Sequence, residues 1–197
     1  MSGTSIRVLT YNIHKGFSAT NLRYILHEIK KSIRHINADV VFLQEVHGEH
    51  TLARNGFDDE ANVRQFEFLA DQVWDHHAYG KNVIYKSGHH GNAILSRFPI
   101  LSSHNQDISE LRFERRGMLH TELAVPGWKE PLHCVCVHLG LTAAARRRQM
   151  LALAERGRVL GFGSIWTGEH VLSKWDPTSM VFDCTTLATA LAARVPD

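Results

Sequence analysis

The chain has 197 residues, of which 44% are hydrophobic and 21% are charged, as is typical of a single globular domain and not of a disordered or fibrous protein. Its formal net charge of +2 excludes the strong basic excess of a protein that coats nucleic acid. No apolar run approaches the roughly 18 residues of a membrane-spanning helix, and the N-terminus lacks the apolar stretch of a secretory signal. Three cysteines, an odd number, indicate reduced, buried thiols. We therefore expect a cytoplasmic protein.

The first 45 residues predict a βαβ unit. Residues 6–12 and 39–45 are short, mostly apolar runs, which are typical of strands buried on both faces. Between them, apolar residues recur at helical spacing from Leu22 to Ile36. A crossover of this kind makes the two strands parallel, and we expect them to be neighbours in the sheet.

Further strands and helices are predicted as far as residue 155. Residues 48–62 are polar and predict a surface loop, and residues 66–74 then form an amphipathic helix. Two hairpins follow, with strands over 79–85 and 92–96, and over 118–125 and 132–139. Thr142 is the expected N-cap of a helix that ends near Glu155. Residues 156–197 show no sustained periodicity and receive no fold prediction.

Four polar side chains are expected to meet at one edge of the sheet. Asn12 and Glu45 end the two parallel strands, so they lie on the rim where open α/β sheets bind ligands. His138 ends a later strand, and counting back through the hairpin places Arg116 roughly opposite His138. One carboxylate with neutral oxygens suits a hydrated Mg²⁺ ion rather than Zn²⁺. An arginine fork beside an imidazole suits a phosphate ester.

Each of these residues also has an ordinary structural explanation. An Asn after a strand is commonly a turn residue, and a His that ends an apolar strand is usually a hydrogen-bonded structural group. Arg116 can pair with Glu114 at the surface. Glu45 is harder to explain in this way, because its strand holds it near the interior.

Other histidines lack the spacing of a zinc site and are expected to be solvated loop residues. This group comprises His47, His50, the pair His76–His77 at a helix end and the pair His89–His90 in a turn.

Five segments, in this order along the chain, resemble the motifs of a known superfamily. They are LTYNI (9–13), DVVFLQEV (39–46), GNAILSRFP (91–99), Arg116–Gly117 and VCVHL (135–139). Together they resemble the endonuclease/exonuclease/phosphatase superfamily, which includes pancreatic deoxyribonuclease, abasic-site endonucleases, bacterial sphingomyelinases and inositol-phosphate 5-phosphatases. The resemblance covers residues 6–155, and the NIHKG segment at 12–16 is similar to that of small bacterial members.

The resemblance implies a four-layer α/β sandwich that hydrolyses a phosphate ester with Mg²⁺, or Mn²⁺ in its place. The substrate is then a nucleic acid, a phospholipid head group or an inositol phosphate. Glu45 would ligate the metal ion, and Asn12 would help to bind the metal or the scissile phosphate. His138 would hold a phosphate oxygen or assist proton transfer, and Arg116 would clamp the phosphate.

Two later motifs of the superfamily are absent from this chain. One is Gly-Asp-x-Asn, whose Asp is the candidate base that activates water, and the other is a terminal Ser-Asp-His. We therefore expect residues 1–155 to be the N-terminal portion of the family domain and 156–197 to be a non-matching segment, as in a truncated or altered protein.

The alternative function is that of an inactive remnant that binds phosphate or metal. An incomplete sandwich also exposes apolar sheet surface, which predicts self-association unless residues 156–197 cover it.

Overall fold

The computed structural model describes residues 5–18, 23–50, 64–161, 166–168 and 188–192. These residues form nine strands, three α-helices and one short 3-10 helix, His14–Gly16. The strands are β1 (Val8–Asn12), β2 (Val40–His50), β3 (His76–Tyr85), β4 (Gly88–Ser96), β5 (Ile100–Asp107), β6 (Gly117–Leu123), β7 (Leu132–Val137), β8 (Trp166–Gly168) and β9 (Ala188–Ala192). The helices are α1 (Leu26–Ile36), α2 (Gln65–Ala70) and α3 (Ala143–Val159).

The strands form two sheets, one with the order β1-β2-β4-β3 and one with the order β5-β6-β7-β9-β8. Strands β1 and β2 are parallel neighbours, with Val8 opposite Val40 and Asn12 opposite Gln44. The predicted βαβ unit is therefore confirmed, and its register brings the end of β1 beside Gln44, the residue before Glu45.

Three layers of apolar side chains separate four layers of secondary structure. The first layer packs α1 and α2 on one sheet, through residues such as Ile33 and Leu43. The second lies between the sheets and joins Phe42 to Leu119. The third packs α3 on the second sheet through Leu153. The α/β sandwich is therefore confirmed, because an alternating strand offers one face to each adjoining layer.

Several predicted boundaries are wrong, because strand pairing extends beyond the apolar runs. Strand β2 continues through His47 to His50, where a loop was expected. The pair His76–His77 begins β3, and the pair His89–His90 lies within β4 rather than in a turn. Helix α2 ends at Ala70, before the expected end at Trp74. Helix α3 continues past Glu155 to Val159.

Two short strands from the C-terminal segment lie in the second sheet. Strand β9 pairs antiparallel with β7, Cys134 lying opposite Leu191, and β8 pairs with β9. The edge of β7 is therefore covered. Other apolar residues of this segment, Phe162, Ile165, Val171, Leu172 and Trp175, lie outside the described residues, as does Cys184. Self-association stays a prediction.

Cys134 and Cys136 are free and buried, as expected for reduced thiols. No helix among the described residues is long and apolar enough to cross a membrane.

The N-cap of α3 gives a first testable prediction. The Oγ1 atom of Thr142 accepts a hydrogen bond of 3.2 Å from the backbone N–H of Ala145. We expect Thr142→Ala to lower the free energy of unfolding by about 1 kcal/mol, because a helix N–H then loses its partner. Urea unfolding measures the change. Thr142→Ser, which keeps the hydroxyl, is the control, and an equal loss in both variants would contradict the capping role.

Candidate active site

A β-bulge aims Glu45 out of the regular strand pattern. Leu43 lies opposite Ala93 and Val46 opposite Gly91, so Gln44 and Glu45 together face the single residue Asn92. Glu45 has a φ of +54°, in the left-handed region. Bulges of this kind redirect side chains beside functional sites. Because of the bulge, the Glu45 side chain does not enter the helix-facing core in which Leu43 and Val46 are buried.

Both oxygens of Glu45 have polar neighbours. Asn12 donates from Nδ2 to Oε1 at 3.3 Å, and the Nε2 atom of His138 lies 3.8 Å from the same oxygen. On the other oxygen, Oε2, the ring of His14 lies at 3.5 Å and the ammonium of Lys15 at 3.9 Å. Burial acts to raise the pKa of Glu45, but these neighbours, His138 first among them, hold it below its ordinary value. The carboxylate is therefore ionised at neutral pH.

His138 follows β7 and is largely buried, with a side-chain exposure of 11%. Burial and, next, the positive charge of Arg116 lower the pKa of His138 to about 4, although Glu45 acts in the opposite direction. The imidazole is therefore neutral near pH 7, and one ring nitrogen carries a proton while the other can accept one.

Arg116 immediately precedes β6 in the sequence, and three hydrogen bonds fix its guanidinium group. Its Nε donates to the backbone oxygen of Leu139 at 3.1 Å, and its Nη2 donates to Oε1 of Glu114 at 2.9 Å. Its Nη1 donates to the backbone oxygen of Arg115 at 3.1 Å. The expected pairing with Glu114 is present but buried rather than at the surface, since Glu114 is 8% exposed. Met118 faces Val137 in this antiparallel pair, so residue 117 falls opposite His138. Arg116 therefore lies one residue beyond the position that was expected.

Glu45, Arg116 and His138 line one small pocket that opens to solvent. Asn12 does not line it and acts on the pocket through its contact with Glu45. The remaining lining residues are Asn82, Val83, His90, Gly91, Asn92 and Arg115. The pocket therefore collects one carboxylate, an arginine pair and imidazoles from strands of both sheets.

Sequence reasoning missed several of these contacts. His14 and Lys15 reach Glu45 because the backbone at 14–16 turns with positive φ at all three residues. His90 lines the pocket from within β4, and burial lowers its pKa to about 4. The signal that could have found them was adjacency, because His14 and Lys15 directly follow the Asn12 motif and His90 directly precedes the one that starts at Gly91.

The oxygen ligands at this pocket fit a hydrated divalent cation. Glu45 supplies an ionised carboxylate, and the Oδ1 atom of Asn92 is buried with no hydrogen-bond partner among the described residues. Mg²⁺ commonly binds to one or two carboxylates and keeps waters and substrate phosphates as its other ligands. The Oδ1 atom of Asn12 already accepts from the backbone N–H of His14 at 2.9 Å, which leaves Asn12 better placed to orient Glu45 than to bind metal.

The model of the endonuclease/exonuclease/phosphatase family matches residues 9–180, past the domain end expected at residue 155. The chain belongs to this family, whose members are hydrolases of phosphate esters that generally depend on a divalent metal ion.

Among curated proteins, the chain is 46% identical over 151 residues to YbhP of Escherichia coli K12, described as an uncharacterized protein, and equally so to YbhP of Shigella flexneri. The match covers 77% of this chain and 60% of each relative. The chain therefore spans about 60% of the length of the curated relatives that it matches.

Solved structures show the same fold. A family member from Beutenbergia cavernae has a TM-score of 0.58 at 22% identity, covering 76% of this chain and 42% of that one. D. rerio TDP2 complexed with a single-strand DNA product has a TM-score of 0.59 at 13% identity, covering 98% and 86%. Truncated Caenorhabditis elegans TDP2 has a TM-score of 0.59 at 14% identity, covering 96% and 84%. Identities this low demonstrate a common fold only.

Proposed function

We propose that this chain carries the metal-binding and phosphate-binding part of a Mg²⁺-dependent phosphate-ester hydrolase site. The observation that carries the proposal is that Glu45, Arg116 and His138, from three separate segments, line one pocket. Mn²⁺ has the same preference for oxygen ligands and would take the place of Mg²⁺.

Glu45 is the proposed metal ligand, with Asn12 fixing its orientation and Asn92 supplying a neutral oxygen. A bound Mg²⁺ would neutralise charge on the phosphate and polarise its oxygens. The ionised state of Glu45 at neutral pH supports this role, because a carboxylate must be deprotonated to bind a cation.

Arg116 is the proposed phosphate clamp. A guanidinium carries five N–H donors, and three of those in Arg116 are used by Leu139, Glu114 and Arg115. Two donors are therefore left for phosphate oxygens, in a fork that the other three hold still. Glu114 acts as a positioning residue for this fork.

His138 is the proposed partner of a phosphate oxygen or of a proton in transfer. Its neutral imidazole can donate a hydrogen bond from one nitrogen and accept a proton at the other. Since it lies 3.8 Å from Glu45, it places this proton exchange beside the proposed metal ligand.

The proposed substrate is a phosphate ester of a nucleic acid or of a phospholipid head group. Arg115 and Arg116 line the pocket together and favour an anionic ligand. The fold shared with TDP2, whose D. rerio form was solved with a single-strand DNA product, supports a nucleic acid as the first substrate to test.

Turnover of bis-p-nitrophenyl phosphate by the whole chain, with and without Mg²⁺, tests the proposal. We expect release of p-nitrophenol that depends on Mg²⁺ and is abolished by chelation.

A second candidate function, binding of a phosphate ester without hydrolysis, is favoured by one observation. Glu45 is the only carboxylate among the described residues that line the pocket, so they supply no second one to act as base. Mg²⁺-dependent binding of the ester without turnover would establish this alternative.

Arg116→Lys tests the phosphate clamp. We expect inorganic phosphate to bind about 10-fold more weakly, because lysine cannot reproduce the planar fork that the surrounding acceptors hold in place. Isothermal titration calorimetry measures the affinity. Arg148→Lys, on α3 and paired with Glu110, is the control and should bind phosphate as the natural chain does. Equal affinity in the two variants would contradict the assignment.

A further inference from the structure

A second group of metal-ligating side chains lies on the other face of the second sheet. His120, Glu122 and His133 each present one ligand atom, and these three atoms all lie within 4.8 Å of one another. His120 and Glu122 are two positions apart on β6, so they share a face, and Glu122 lies directly opposite His133 of β7. The register of the two strands therefore fixes the group.

This group is separate from the phosphate pocket. Residues 119 and 134 are the sequence neighbours of His120 and His133, so their side chains lie on the opposite face of the sheet, and they face the core between the sheets. Residues 118 and 135, which share the parity of the group, face the core beneath α3. His138 has the opposite parity to His133 on the same segment. His138 thus lies on the opposite face of the sheet from His133, and none of the three residues of the group lines the phosphate pocket.

The two imidazoles are already close to the spacing that a metal ion requires. The Nε2 atom of His120 lies 2.9 Å from the Nδ1 atom of His133, and the rings stack at 13° with centroids 5.1 Å apart. Ligand atoms around a tetrahedral Zn²⁺ ion lie about 3.3 Å apart, given bonds of roughly 2.0–2.2 Å. Binding of the ion therefore needs a small increase in this spacing, together with loss of the proton shared by the two nitrogens and a rotation of the rings that turns both lone pairs toward the metal.

The surroundings combine burial with a balance of charge. His120 is 4% exposed, so little water competes for its nitrogen. The charged neighbours that act on the two histidines are Arg156 of α3 on one side and Glu122 and Glu130 on the other. His104 lies opposite His120 on β5 and adds a third imidazole to the neighbourhood.

We propose that His120, Glu122 and His133 bind one Zn²⁺ ion on the α3 face of the second sheet. Two imidazoles and one carboxylate form a donor set that zinc accepts, with a fourth position left for water or another ligand. Mg²⁺ prefers an all-oxygen set, so the same group discriminates against the ion proposed for the pocket. The site would link β6 to β7 and stabilise the folded chain.

Metal titration of the whole chain after chelator treatment tests the site. Zn²⁺ is followed by calorimetry, and Co²⁺ is followed by the intense visible absorption that marks four-coordinate nitrogen and oxygen ligation. We expect one equivalent of Zn²⁺ to bind and the Co²⁺ spectrum to appear. We expect Glu122→Gln and His133→Gln each to weaken binding by at least about 100-fold, because each removes a direct ligand. His35→Gln, exposed on α1, should leave the affinity unchanged.

The outcomes separate this site from the phosphate pocket. Glu45→Gln should keep the Zn²⁺ affinity, since Glu45 belongs to the pocket. Loss of Zn²⁺ binding in Glu45→Gln with retention in Glu122→Gln would overturn the proposal, and so would the absence of tight binding in the natural chain. Circular dichroism checks that each variant folds. If His133→Gln does not fold, Glu122→Gln alone decides, because the Glu122 side chain is only half-buried.

Discussion

Replacing Glu45 with Gln is expected to lower the Mg²⁺-dependent turnover of bis-p-nitrophenyl phosphate by at least about 100-fold. Removing a residue that only hydrogen-bonds to a metal ligand costs up to about 100-fold, and removing the ligand itself costs at least as much. Glutamine keeps the size of the side chain but removes the only negative charge among the described residues that line the pocket. The positive charge of Lys15, 3.9 Å from Oε2, would then oppose a cation without compensation.

Steady-state turnover and Mg²⁺ titration measure this loss together. Glu49→Gln is the matched control, because Glu49 lies on the same strand, is 57% exposed and pairs with Arg64 outside the pocket. We expect the control to keep its turnover and its Mg²⁺ affinity. Unchanged Mg²⁺ dependence in Glu45→Gln would show that the metal ion, if bound, is held elsewhere.

Gly91→Ala is expected to lower the free energy of unfolding by about 3 kcal/mol, at the upper end of ordinary overpacking. A Cβ atom at Gly91 would lie 1.8 Å from the backbone oxygen of Gly80 on the neighbouring strand β3. A backbone atom cannot move aside as a flexible side chain can, so β3 and β4 would have to separate. Since folded domains are stable by only about 5–15 kcal/mol, the effect is large.

Urea unfolding of Gly91→Ala and Gly127→Ala gives the comparison. An added Cβ at Gly127 meets nothing within 4 Å, although its φ of +81° strains any residue other than glycine. We expect this control to lose about 1 kcal/mol, from the backbone alone. If both variants lost the same free energy, the close approach of β3 to β4 would not be the cause.

The sequence was sufficient to predict the elements that bury a regular apolar pattern. The predicted strands over 6–12 and 39–45 are mostly apolar, and the helix between them shows a clear amphipathic period, so the parallel pairing followed. The convergence of Glu45, Arg116 and His138 followed in turn from strand direction and hairpin register. These predictions depend on periodicity, which is a local property of the chain.

Features set by backbone geometry could not be predicted in this way. Strand β5 has only two half-buried positions, Ile100 and Asn105, because it is an edge strand, and its sequence shows no apolar alternation. The bulge at Gln44 and Glu45 contains no glycine, so nothing local marks a left-handed residue there. His90 lies between His89 and Gly91, and a segment with flanking glycines resembles a turn more than the middle of a strand.

The left-handed conformation of Glu45 has a consequence for how such sites are lost. A residue with a Cβ costs roughly 1–2 kcal/mol in this region relative to glycine, so the chain is less stable for keeping a carboxylate there. In a lineage that no longer needs the pocket, replacement of Glu45 by Gly would remove both the charge and the strain. Loss of the carboxylate at this position is therefore a change that stability does not oppose, so the chemistry of the pocket is what keeps a charged residue there.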